Sequence, residues 1–280
     1  MPAPWQPSCN LAALRARAEL LQTIRTFFRE RNVLEVQTAL LAPHTVTDTH
    51  IESMAVGAFG YLQTSPEYQL KRLLAAGAPS LYHLGPVFRA GEQGRLHNPE
   101  FTLLEWYRLG FDDAALRAEV AELISLVLGP GEVREIGYAD LVGDCRGEEA
   151  DLRFARASAA LTGRWFITRF PADRAALARL CPEDTTVAAR FELVVDGVEL
   201  ANGYHELTDP EEQRRRFAAD IDARRRRGLV EPTVDEKFLG ALEAGLPDCA
   251  GVAVGIDRLL MLATGAAALS EVMPFPWGVA

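Results

Sequence analysis

The chain has 280 residues, 49% of them hydrophobic and 24% charged, with a formal net charge of −10. That is an ordinary soluble, globular balance, and no apolar run approaches the roughly 20 residues of a membrane helix. The acidic balance argues against a dedicated nucleic-acid-binding module, because such modules neutralise phosphates with a basic surface.

In chain order, the opening MPAPWQPSCN lacks the basic and apolar segments of a secretory signal. Asn10 suits an N-cap for a long helix in which Leu11, Leu14, Ala18, Leu21, Ile24 and Phe28 recur at three- and four-residue steps. The helix stops near Asn32, and Val33–Leu41 reads as a strand. A second helix, Tyr68–Ala76, follows Pro66 and stops at Gly77. Leu81–Arg89 and Phe101–Phe111 read as strands joined by the polar loop AGEQGRLHNPE, and Asp112 or Asp113 caps a helix that ends at Gly129-Pro130. Residues 130–190 mix short helical pieces with turns and carry no chemical signature. In RFELVVDGVELANGYHEL two strands flank Asp196-Gly197, a two-residue hairpin signal.

Thr208-Asp209-Pro210-Glu211-Glu212 opens a further helix that carries Arg214–Arg216 and Arg224–Arg227. Acids in the first turn and bases in the last complement the helix dipole, so a solvated, self-compensating helix is expected. GVAVGIDRLLMLATG passes from a short strand into a helix ending at Gly265. Cys9, Cys145, Cys181 and Cys249 show no zinc spacing and are expected to be reduced thiols of a cytoplasmic protein. Helices and hairpins alternate without βαβ units, which predicts an α+β fold with a largely antiparallel sheet flanked by helices.

Polar residues interrupt two of the strands. Phe101, Leu103, Glu105 and Tyr107 share one face by period-two alternation. A carboxylate between Leu103 and Tyr107 is costly to bury without a partner, so Glu105 marks a structural ion pair, an edge strand or the wall of a site. With Asp196-Gly197 as the turn, Val194 lies opposite Glu199 and Glu192 opposite Ala201. Glu192 and Glu199 then share a face as diagonal neighbours, able to engage one cation or a phosphate-bound metal; acids on a solvated sheet face read the same way. Glu206 has the wrong parity to join them unless a bulge at Asn202-Gly203 re-aims it.

Three ordered segments resemble the signature motifs of the class II aminoacyl-tRNA synthetases. They are the long helix and strand ending in EVQTALLAP, then VFRAGEQGRLHNPEFTLLEWY, then GVAVGIDRLLML. TSPEYQLKRLL and ELANGYHEL resemble the lysine-specific branch, and the likeness runs over the whole chain, most weakly over 130–190. It implies a single class II catalytic domain over 1–280. Lysyl-tRNA synthetases carry an N-terminal OB domain that reads the anticodon. The first-motif helix here begins near residue 10, so no such domain is expected. TSPEY, ELANG, HELTD and PDCAGVA are similar to a stand-alone branch that acts on a protein. Its members activate (R)-β-lysine with ATP and join it to a lysine side chain of elongation factor P.

The resemblance also implies roles. Arg89 and Arg258 would act on the ATP phosphates as the catalytic pair. His97 and Asn98 would line the nucleotide site, Phe101 would stack on adenine, and Leu200 and Gly255 would contact the nucleotide through backbone. Glu192 and Glu199 would handle Mg²⁺ with ATP. Ser65, Glu67, Glu105, Tyr107, Glu206 and Ala253 would form the amino-acid pocket, with Glu206 and Tyr107 at the terminal ammonium and Glu67 and Glu105 at the amine nearer the carboxylate. A homodimer is implied, with no stable tRNA binding and no membrane. Three positions depart from the pattern. Ala39 follows Thr38 where a proline is usual, and Ala253 replaces the middle glycine of the third motif. Ala90-Gly91 sets Glu92 one place later than the adenine-reading acid, so Glu92 would bind ATP in its stead through a shifted loop, the alternative being a backbone contact alone. The readings that compete are a truncated lysyl-tRNA synthetase activating α-lysine and a non-catalytic regulatory subunit.

Overall fold

A computed structural model describes residues 5–280. In chain order the elements begin with α1 (Leu11–Glu30), β1 (Leu34–Glu35), β2 (Leu41–Ala42), β3 (Tyr61–Leu62), α2 (Glu67–Ala75), β4 (Leu81–Phe88), β5 (Glu100–Leu109) and α3 (Asp113–Leu128). They continue with β6 (Val133–Gly137), α4 (Tyr138–Val142), α5 (Gly147–Ala159), β7 (Arg164–Thr168), β8 (Phe170–Pro171), β9 (Leu180–Cys181) and β10 (Asp184–Ala188). The last are β11 (Arg190–Val195), β12 (Val198–His205), α6 (Pro210–Arg226), α7 (Glu236–Gly245), β13 (Cys249–Gly255) and α8 (Ile256–Thr264). Eight strands form one sheet in the order β1-β4-β5-β13-β12-β11-β7-β6. β7, β11, β12 and β13 pair antiparallel, whereas β1 beside β4 and β6 beside β7 are parallel. No helix among the described residues is long and apolar enough to cross a membrane. The chain divides into two compact units, one of residues 1–105, 209–246 and 255–280, the other of 106–208 and 247–254.

In the first unit α1 starts where expected, with the Asn10 side chain accepting from the Ala13 N–H. Its buried stripe, however, is Ala13, Leu20, Ile24, Phe27 and Phe28, while Leu11 and Leu14 stay exposed. The apolar periodicity spans more of the helix than this unit covers. Val33–Leu41 is not one strand. Leu34–Glu35 pairs with Leu81–Tyr82 and Leu41–Ala42 with Tyr61–Leu62. Between them the side-chain amide of Gln69 takes both the N–H and the C=O of Ala39, replacing a strand partner. α2 packs on α7 through Tyr68 and Phe238, stacked with centroids 4.4 Å apart.

α6 differs from the solvated helix expected of its arginines. Arg225 and Arg214–Arg216 do form surface ion pairs, but Arg224 is only 6% exposed and its guanidinium donates to the carbonyls of Asp48, Ile51 and Val230. Arg224 follows Gln213 and Phe217 on the buried face, which the charge pattern conceals.

In the second unit α3 is capped by Asp112, whose side chain accepts from the Ala115 N–H. The poorly legible stretch 130–190 supplies β6 and β7 to the sheet and the small sheet β8-β10-β9. Tyr138, Val142, Ala150, Ile167, Phe170 and Val194 form a core cluster beneath α4 and α5.

Candidate active site

In the first unit, Arg89 follows β4 and donates from Nε to the Thr64 carbonyl at 3.3 Å. Its guanidinium lies 5.1 Å over the Phe101 ring and 3.6 Å from Glu92. Arg89 thus covers one face of the ring assigned to adenine. Arg258, in the first turn of α8, donates from Nε to the Leu96 carbonyl at 3.1 Å, and its Nη2 is 2.8 Å from His97 Nε2. Asn98 is buried with both ends of its amide engaged: Nδ2 donates to the Glu100 carbonyl and Oδ1 accepts from the Trp277 N–H. It holds the motif-two loop to the C-terminal segment rather than offering a free amide. Gly255 sits at the strand–helix junction before Arg258.

Beneath these residues lies a network that the sequence reading missed. Asp257, 2% exposed, takes Arg17 at 2.7 Å on one oxygen and the Thr102 N–H at 2.6 Å on the other, and Arg17 also donates to the Thr102 hydroxyl. α1, β5 and α8 are joined next to Arg258 and Phe101. The signal available was Asp257 itself, a carboxylate in an apolar helix start.

Ser65 donates to Glu105 Oε2 at 2.7 Å and accepts the Glu67 N–H at 3.0 Å. Its hydroxyl proton therefore aims Glu105, which is 3% exposed. Glu67 is held by Lys71, a buried ammonium one helical turn on, at 2.6 Å. Lys71 was not singled out from the sequence, although an acid and a base four residues apart on a helix face one another. The pairing balances the charge of Glu67.

In the second unit the hairpin register decides the site. Val194 pairs with Glu199 as expected, but the register then slips, so that Leu193 faces Ala201 and Glu192 faces Asn202 rather than Ala201. Leu200 is the extra residue. The bulge predicted at Asn202-Gly203 therefore lies earlier, with the consequence anticipated for it: parity reverses, and Glu199, Asn202 and Tyr204 share the face of Glu192 and Arg190. Glu206 follows on that face. A methyl group placed on Gly251, opposite Tyr204, would strike both the Glu206 carboxylate and the Tyr107 ring. Glycine is required there because the two side chains close over its Cα. Glu206 is fully buried and Tyr107 nearly so. Ala253 lies opposite Asn202 on the same face.

Arg190 holds Glu192 at 2.5 Å and also donates to Asn202 and to the Arg174 carbonyl. Burial and the nearby charge of Glu199 nevertheless push the Glu192 carboxyl up to about 7.

Within the first unit, a buried acid aimed by a hydroxyl, Glu105 with Ser65, and the arginines Arg89 and Arg258 are groups suited to an amine and a polyphosphate; within the second, the Glu206 carboxylate and the Tyr107 ring close over Gly251. The family model described as "tRNA synthetases class II (D, K and N)" matches residues 8–278. The chain belongs to the class II tRNA synthetases. Three similar curated proteins carry the name elongation factor P--(R)-beta-lysine ligase. That of Vibrio cholerae is 43% identical and that of Proteus mirabilis 42%, each over 98% of both chains. That of Yersinia enterocolitica is 42% identical over 99% of this chain and 98% of its own.

For this class II synthetase a metal can be tested against the side chains present. Among the described residues no group of three or more His, Cys, Asp or Glu is placed to hold one. Mg²⁺ needs fewer protein ligands, because it is held by one or two carboxylates together with substrate phosphates. Glu192 and Glu199 repel one another across a shared face, a repulsion that a cation relieves.

Proposed function

We propose that this chain is an ATP-dependent ligase that activates (R)-β-lysine as an adenylate and transfers it to a lysine side chain of elongation factor P. The observation that carries the reading is, within the first unit, the buried Glu105 carboxylate aimed by the Ser65 hydroxyl, together with Arg89 and Arg258. A buried acid binds a substrate ammonium through a charge-assisted hydrogen bond, and guanidinium groups bind phosphate. The full-length likeness to curated elongation factor P ligases supports the same substrates.

In the first step a substrate carboxylate oxygen attacks the α-phosphorus of ATP and pyrophosphate departs. Arg89 and Arg258 present planar donors to the phosphate oxygens and stabilise the charge that develops there. To do so they exchange the partners they hold in this structure, Thr64, Glu92 and His97, for phosphate. Glu192 and Glu199 would hold Mg²⁺, which when bound screens phosphate charge. In the second step the acceptor ε-amine attacks the adenylate carbonyl carbon, the bond to phosphate breaks and AMP leaves. Catalysis is positioning and charge stabilisation, with no enzyme nucleophile.

The enzyme acts as a homodimer in the cytoplasm without stable tRNA binding. Leu11, Leu14, Leu34, Leu40 and Leu41, all in the first-motif segment, are exposed apolar side chains of the kind a dimer covers. The four cysteines are free thiols, as in a reducing compartment, and the −10 net charge disfavours a polyanion. The deciding experiment is the mass of elongation factor P after incubation with this protein, ATP, Mg²⁺ and each lysine isomer. A single added lysyl group from the (R)-β isomer is expected; an unmodified partner alongside efficient charging of tRNA-Lys rejects the reading.

A further inference from the structure

We infer that Lys237 is a self-modification site: adenylate escaping the active site acylates its ε-amine, and no other side chain of the protein. The inference rests on the adenylate-forming reading above. An aminoacyl-adenylate is a mixed anhydride that acylates any accessible amine, and the surface it meets first is that of the enzyme that made it.

That surface is almost free of such amines. The chain holds 29 basic residues, of which only Lys71 and Lys237 are lysines; the other 27 are arginines. Guanidinium groups stay protonated and offer no lone pair to a carbonyl, whereas a lysine ammonium can lose its proton and attack. The arginines therefore carry positive charge without nucleophilicity, and stable side-chain amides can form at two lysines only.

The fold removes one of them. Lys71 is 1% exposed, its Nζ lies 2.6 Å from Glu67, and the Phe238 ring packs 5.9 Å away. A buried ammonium packed in an ion pair is out of reach of an adenylate in solvent. Lys237 is its opposite. It stands exposed in the first turn of α7, where Asp235 caps the helix through the Lys237 and Phe238 backbone N–H groups. The acids beside it on α7, Glu236 and Glu243, are taken by Arg214 at 2.9 and 3.7 Å. Lys237 has no ion-pair partner among the described residues.

In the reaction, the Lys237 Nζ lone pair attacks the adenylate carbonyl carbon and an amide forms. The carbonyl–oxygen bond to phosphate breaks, AMP leaves with that electron pair, and the proton shed by the nitrogen goes to water. The product keeps the positive charge, because the lysyl group brings its own amines.

The test incubates the whole protein with ATP, Mg²⁺ and (R)-β-lysine in the absence of elongation factor P. Pyrophosphate release is followed, and the protein is then cut with a glutamate-specific protease for peptide mass spectrometry. The expected result is one lysyl adduct at Lys237 that accumulates with turnover, with Lys71 unmodified. Lys237→Arg should abolish the side-chain adduct and leave pyrophosphate release unchanged. Pyrophosphate release without an adduct at Lys237, or labelling that favours Lys71 or the N-terminal amine, overturns the inference. No release with any lysine isomer instead removes the adenylate reading, and this inference falls with it.

Discussion

Arg258 reaches its position through contacts to its own chain, the Leu96 carbonyl and His97. Arg258→Ala should lower ATP–pyrophosphate exchange by about 10²–10³-fold, the usual loss when one donor to developing charge is removed; exchange within a few-fold of wild type would displace the arginine from the phosphates. Ala253 lies on the face that carries Asn202, Tyr204 and Glu206, where the proposed amino-acid pocket would lie. One methyl in a tight pocket is worth about 1–3 kcal/mol. Ala253→Gly should therefore shift the ratio of exchange rates toward α-lysine by roughly 10–200-fold, and an unmoved ratio would show that Ala253 does not select the isomer. Glu192 supplies a pH dependence. Its carboxyl is raised to about 7, first by burial, against the lowering effect of Arg190. For an acid whose folded value lies above its unfolded value, the folded state holds the extra proton, so this group's contribution to stability declines as pH rises from about 4.5 to about 7. A cation needs the carboxylate, so Mg²⁺–ATP affinity should strengthen over the upper part of that range, with proton release on binding. Calorimetry in two buffers of different ionisation enthalpy reads that proton; Glu192→Gln should abolish the release while retaining an acceptor for Arg190.

At the scale of elements, α6 matters for what it holds. Arg224 binds the Asp48, Ile51 and Val230 carbonyls, Asp220 takes the Thr47 hydroxyl at 2.8 Å, and the Glu52 carbonyl then accepts the Ala90 N–H beside Arg89. The segment 47–52 is thereby strapped to α6 at one end and to the motif-two loop at the other. Arg224→Met keeps the apolar stem but leaves buried carbonyls without their donor, at a cost of about 1–3 kcal/mol per group left unsatisfied. The expected outcome is a lowered Tm and a KM for ATP raised on the order of tenfold with a smaller change in kcat, partly restored by Arg224→Lys. A variant that melts early yet keeps the wild-type KM would make the strap purely structural. The β11–β12 hairpin shows the same dependence of site on element. A single extra residue, Leu200, sets the sheet face of everything that follows it.

For the whole molecule, the exposed stripe of α1 is the feature that one chain does not explain. Leu11 and Leu14 continue the apolar periodicity of the helix but face outward, alongside exposed Leu34, Leu40 and Leu41. Light scattering should report a mass of two chains, and Leu14→Asp should halve it by placing a desolvated charge in the covered face; a monomeric wild type would reject the dimer. The local sequence by itself determined the helix starts at Asn10 and Asp112, the stop at Gly77 and the Asp196-Gly197 turn, because caps and tight turns depend on residues only a few positions apart. It likewise marked Glu105, a carboxylate on an otherwise apolar strand, whereas the roles of Arg89, Arg258 and Glu206 came from the resemblance to the family's motifs. Only the tertiary structure decided that Val33–Leu41 breaks at Ala39, that the bulge falls at Leu200, that Arg224 is buried among solvated arginines, and that Lys71 and Asp257 hold their neighbours in place. Strand register and the partner of a buried charge depend on residues tens to hundreds of positions away, and no local pattern carries that distance.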